Sequence, residues 1–209
     1  MERNLRFLLT KVKLGHQRRY QVWFTKKFLS LLERENVLID IVRFICCTCR
    51  SSSEYGHVVD VMLRWAVIGW LLMSCRKSCV QANFKLGLFY DWLFFDEDDD
   101  MMCVEPAILL MVSIPKYSDI TNTLLEFLLI LIDNYDVERK DVIIKGVLSA
   151  IHALISKGVI KSLDVLTHSD MISPLLREML GKLLSFMETT RSKEMQATVL
   201  IQTPVSPVI

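Results

Sequence analysis

Apolar residues recur at three- and four-residue spacing along almost the whole chain, which is the period of a helix and not of a strand. The spacing predicts a short helix over Glu2–Lys13, stopping near Gly15. A second covers Gln17–Glu33, with Tyr20, Phe24, Phe28 and Leu31 on one stripe. Val37–Cys49 makes a third, closed by a Ser51–Ser53 loop. Two long, aromatic-rich helices follow over Tyr55–Cys75 and Ser78–Phe95, and then an acidic loop, Asp96–Asp100. Pro106 suits the first turn of a helix over Glu105–Ile114, and Pro115 ends it. Ser118 or Asp119 can cap Thr121–Asn134. Asp136–Lys157 ends at Gly158, a suitable C′ residue. A short segment, Val159–Thr167, leads to Ser173-Pro174, which opens a last helix through about Met187.

The two central helices carry apolar stripes on more than one face. In the first, Val58, Val61, Trp65, Ile68 and Leu72 form one stripe, and Met62, Ala66, Trp70 and Met73 a second. In the second, Phe84, Leu88, Trp92 and Phe95 align, as do Leu86, Phe89, Tyr90 and Leu93. A helix with two apolar faces packs against neighbours on both sides. Successive helices buried in this way predict an all-α, HEAT-like α-solenoid of about nine or ten helices, without a strict repeat. The expected domain is 1–188. The stretch 189–209, rich in Thr, Ser and Gln and lacking a stripe, is expected to be a disordered tail.

Composition supports the helical reading. Gly and Pro number only 7 and 5 in 209 residues, too few turns for a sandwich or barrel, and the 52% hydrophobic content excludes general disorder. Ahead of the tail the longest charge-free runs, Trp65–Cys75 and Gly146–Ser156, reach 11 residues. A membrane span needs about 20, so no membrane association is expected. The N-terminus has no signal-peptide pattern, and an intracellular chain is expected.

Chemistry is sparse. No glycine-rich phosphate loop, GxSxG or HExxH occurs, and His16, His57, His152 and His168 are scattered. His152 reads as a packing residue. Cys46 and Cys49 form a lone CxxC on a helix with no strand before it. Zinc or redox chemistry is thereby set against free thiols, and the expectation for Cys46, Cys47, Cys49, Cys75, Cys79 and Cys103 is no metal and no disulfide. No catalytic group, metal site or cofactor is expected. Asp91 shares a face with Phe84, Leu88 and Phe95, where a carboxylate needs a partner, and Arg64 on the preceding helix is the candidate for a structural ion pair.

Charge is balanced in sum, at net +1, and uneven in place. Residues 1–50 hold 11 Lys/Arg and 4 Asp/Glu, whereas residues 83–141 hold 4 and 13. Such asymmetry steers partners, or marks solvated helix faces. Arg18, Arg19, Lys26 and Lys27 surround Tyr20, Trp23 and Phe24, a mixture that nucleic-acid surfaces use. On an amphipathic helix the aromatics would turn inward, leaving a solvated cationic face or a protein contact, and direct nucleic-acid contact is not the favoured reading. Asp98, Asp99 and Asp100 form the complementary candidate for a basic partner.

Four stretches carry a resemblance. GHQRRYQVWF (Gly15–Phe24), RWAVIGWLL (Arg64–Leu72), KLGLFYDWLFF (Lys85–Phe95) and EPAILLM (Glu105–Met111) are similar, in the same order, to the Integrator complex subunit 3 family, whose members also belong to the sensor of single-strand DNA (SOSS) complex. The likeness runs over about residues 8–180. It implies an all-helical, HEAT-like nuclear scaffold without catalysis of its own. The implied partners are Integrator subunits, an OB-fold single-stranded DNA-binding protein and a small third SOSS subunit. The implied processes are small nuclear RNA processing, transcription and DNA-damage repair. Helices that precede this segment in the family, and the family's C-terminal half, are expected to be missing from this chain.

Overall fold

The structure, a computed structural model, describes residues 1–30, 36–48, 58–93 and 105–185. Every element with hydrogen-bonded backbone among them is helical. In chain order they are α1 (Glu2–Lys11), a 3₁₀ turn (Leu14–His16), α2 (Gln17–Phe24) continued by a π-helical turn (Thr25–Leu29), and α3 (Val37–Thr48). Then come α4 (Val58–Ser74), α5 (Ser78–Leu93), α6 (Glu105–Val112), α7 (Ile114–Asn134), α8 (Lys140–Ser156), the short α9 (Asp164–Thr167) and α10 (174–185). The all-α class follows as the periodicity predicts. The acidic run Asp96–Asp100, and with it Asp98, Asp99 and Asp100, lies outside the described residues, as does the 189–209 tail.

Helix α5 sits at the centre and packs against α3, α4, α6, α7 and α8. Its two stripes explain that position: Phe84, Leu88 and Trp92 are buried on one, Phe89 and Leu93 on the other. Tyr90 is the exception, lying half in solvent with the Arg43 guanidinium 5.2 Å above its ring. Alternate helices also pair, α3 on α5 and α4 on α6; beyond α6 the order changes and α5 meets α8.

The described part of the second stripe predicted for α4, Ala66, Trp70 and Met73, is not fully buried. Met73 is 67% exposed, and Ala66 and Trp70 are only half-buried. The buried α4 side chains beyond residue 63 are Val67, Ile68, Leu71 and Leu72, a single broad stripe that joins the core shared with α5 and α6. His152 is likewise exposed on α8, where Ile151 and Leu154 take the inward positions, so it is not a packing residue.

Local signals place the helix ends. Gly158 has φ +70°, and the bonds Val159 N–H to Leu154 O (2.9 Å) and Gly158 N–H to Ile155 O (2.9 Å) complete a Schellman cap on α8. Pro115 falls in the first turn of α7 instead of ending α6, which stops at Val112. The backbone then breaks at Tyr117 (φ −137°, ψ 51°) before the main run to Asn134. Gly146 lets α5 end directly on α8. A Cβ there would lie 3.2 Å from the Leu93 carbonyl oxygen and 3.3 Å from that of Trp92.

Candidate functional site

Arg64 and Asp91 do not pair. Arg64 Nε donates to Glu105 Oε1 at 2.6 Å, and Asp91 is taken by Arg43, whose Nη1 and Nη2 lie 3.3 Å from its two carboxylate oxygens. The requirement that a half-buried carboxylate be paired holds; the partner differs because α5 turns that face to α3. Arg43 Nη1 also donates to the Gly87 carbonyl at 3.0 Å. Burial disfavours the Arg43 charge. The hydrogen bond and charge of Asp91 outweigh it and hold the guanidinium above its ordinary pKa.

The Glu105 side chain is wholly buried. As the first residue of α6 it sits where the helix macrodipole favours an anion. Near it, Trp65 Nε1 donates to the buried Ser113 Oγ (3.3 Å), and Thr121 Oγ1 donates to the Leu110 carbonyl (3.1 Å). These bonds tie α4, α6 and α7 together. On α5, the buried Lys85 places Nζ 2.8 Å from Thr123 Oγ1 and 5.5 Å from the Phe127 ring centroid. Burial pushes the Lys85 pKa down, opposed by the charge of Glu126 and by Cys75. Sequence reasoning missed Arg43, Glu105 and Lys85. The signal for Glu105 was its place directly before Pro106, at a helix start.

The buried polar groups are therefore joints between helices. No group of three or more His, Cys, Asp or Glu side chains among the described residues could hold a metal ion. Cys46, Cys47 and Cys79 are free thiols, and Cys75 Sγ donates to the Leu71 carbonyl at 3.6 Å; Cys49 and Cys103 fall outside the described residues. A small cavity among α5, α6, α8 and α10 is lined by Trp92, Ala107, Leu110, Ile151 and Leu180 with other apolar side chains, and offers nothing to orient a substrate. No helix among the described residues is long and apolar enough to cross a membrane.

The cationic candidates lie outside. Arg18, Arg19, Lys26 and Lys27 are all exposed. The aromatics beside them do not all turn inward as expected: Phe24 is buried, Tyr20 and Phe28 are partly covered, but Trp23 is 40% exposed. Phe7 of α1, which sequence reasoning overlooked, is 48% exposed and joins the group. Ring centroids run Phe7–Tyr20 5.6 Å, Tyr20–Trp23 4.9 Å and Trp23–Phe28 6.0 Å, and Lys27 Nζ stands 4.9 Å from the Trp23 centroid. Burial raises the Tyr20 pKa above its ordinary value.

Fold and site together define an all-α module whose buried ionic groups join helices and whose α1–α2 face carries exposed cations and aromatic rings. The family model described as Integrator complex subunit 3 N-terminal matches residues 1–182, and the chain belongs to that family. It is 42% identical over 183 residues to an Integrator complex subunit 3 homolog of Dictyostelium discoideum, covering 85% of this chain and 12% of that protein. It is 38% identical over 208 residues to Integrator complex subunit 3 of Mus musculus, covering 99% of this chain and 20% of the other. With the homolog of Drosophila erecta it shares 39% over 182 residues, 86% of this chain and 17% of that one. The chain thus spans a fifth or less of the length of these curated relatives.

Proposed function

We propose that this chain is a non-catalytic scaffold segment that holds other subunits of an Integrator-type assembly on its helical surfaces, in the nucleus. Its family membership carries the reading: the matched relatives bear the name of an Integrator subunit. The structure is compatible with it, because the titratable groups inside are spent on helix joints and the exposed ones lie on open faces. In this reading the domain is a HEAT-like stack over 1–188 serving RNA processing and transcription. By the same resemblance it also serves a single-stranded-DNA-sensing damage response, where its partners are an OB-fold single-stranded DNA-binding protein and a small third SOSS subunit.

Charge divides the work. Arg18, Arg19, Lys26 and Lys27 are the anion-facing contacts, and Asp98, Asp99 and Asp100 those for a basic surface. Affinity purification of the tagged chain followed by mass spectrometry tests the proposal. Recovery of Integrator-type subunits or of an OB-fold protein is expected, and recovery of neither from cells where the chain is folded and abundant would refute it.

A further inference from the structure

The geometry points to a stacking platform for a single nucleic-acid strand on the outer face of α1 and α2, made by Phe7, Tyr20 and Trp23 and flanked by cations. On α1, Arg3 and Lys11 stand four residues either side of Phe7, so helical spacing puts all three on one face. On α2, Arg19 stands four residues before Trp23, and Lys27 reaches back over its ring. Tyr20 joins the two helices' rings into one row. Arg3, Lys11, Arg19, Lys26 and Lys27 are exposed around that row.

Charge selects the occupant. Residues 1–30 contain eight Lys/Arg and one acid, Glu2, which is already paired with Arg6 at 3.0 Å. A face this cationic calls for a polyanion, and half-exposed rings call for one with flat apolar groups to lay on them. A single strand has both, phosphates for the cations and base faces for the rings. A duplex hides its base faces, and an acidic peptide has none. Lys27 already shows that the Trp23 face accepts a cation from solvent; a base stacking there would release its ammonium to an adjacent phosphate. Ring faces and point charges read neither base edges nor the sugar 2′-hydroxyl, so DNA and RNA strands serve alike. The inference does not depend on the scaffold reading, since co-purification of subunits can succeed or fail whichever way strand binding turns out.

The test uses the whole 209-residue chain and labelled oligothymidylate and oligouridylate of about 15 nucleotides, read by fluorescence anisotropy across a salt series. Both strands should bind, with log K falling against log salt by roughly 0.7 per phosphate contacted. Trp23→Ala should weaken binding about 5- to 150-fold and Phe7→Ala similarly, whereas Trp23→Phe should restore most of it. Arg19→Gln should lower the salt slope by about 0.7, the share of one phosphate contact on a single strand. Circular dichroism melts of each variant separate loss of stacking from loss of fold, and Trp23→Phe keeps the test informative if Trp23→Ala unfolds. The proposal is overturned if neither strand binds at low salt, if Trp23→Ala and Phe7→Ala bind like the parent, or if polyglutamate competes as well as the strand.

Discussion

Arg64 and Glu105 are 41 residues apart in sequence, and their side chains meet at 2.6 Å, with the carboxylate wholly out of solvent. Removing Glu105 strands the Arg64 guanidinium, which is largely out of solvent. Glu105→Ala should therefore cost about 3–5 kcal/mol of stability. Asp91→Ala should cost less, about 1–3 kcal/mol, because Arg43 is more exposed and keeps its bond to the Gly87 carbonyl. A double-mutant cycle by denaturant unfolding checks the pairing itself. Coupling is expected for Arg64 with Glu105 and for Arg43 with Asp91, and none for Arg64 with Asp91.

The buried Lys85 gives a pH dependence with a definite sign. Its folded-state pKa is lowered by burial, so between that value and the ordinary lysine value of about 10.4 the unfolded chain binds more protons than the folded one. Stability contributed by this group therefore rises with pH through that window, and the cost of burying the charge is fully present below it. Lys85→Met should raise the melting temperature at pH 7 by a few degrees, on the order of 1 kcal/mol. Its advantage should shrink as pH rises through the window. Thermal melts of both proteins from pH 7 to 10 decide it; an advantage that grows with pH contradicts the account.

Two glycines should respond oppositely to the same change. Gly146→Ala drives a methyl against the Leu93 and Trp92 carbonyls, backbone atoms that cannot swing aside. Overpacking of this kind costs roughly 1–3 kcal/mol, of which alanine's better helix propensity returns up to about 1. At Gly69 the added Cβ would meet only side-chain carbons of Ile120 and Leu109 at 3.7 Å, ordinary contact. Gly69→Ala should thus be neutral or stabilising. Chemical denaturation of the pair measures the difference.

Helix type and order were legible because the three- and four-residue period runs almost unbroken, and single residues marked several ends. Gly158 is one: a C′ residue needs a positive φ, and glycine adopts it freely. Pro115 was ambiguous, since proline suits both the end of one helix and the first turn of the next; the chain takes the second course and breaks at Tyr117. Asp91 announced that it needed a cation but not which one. Pairing across packed helices depends on which face meets which, and α5 meets α3 as well as α4. Periodicity also cannot tell an inward aromatic from an outward one when a helix is apolar on several sides. The outward placement of Trp23 and Phe7 therefore leaves no mark in the sequence, and the exposed row on α1 and α2 is visible only in three dimensions.

The scaffold reading is tested most directly by where the chain resides in a nuclear extract. Glycerol-gradient sedimentation of extract containing the tagged chain should place most of it in fast-sedimenting fractions together with Integrator-type subunits. A pool that stays entirely at the size of a free 24.2 kDa protein, while those subunits sediment elsewhere, contradicts the central claim.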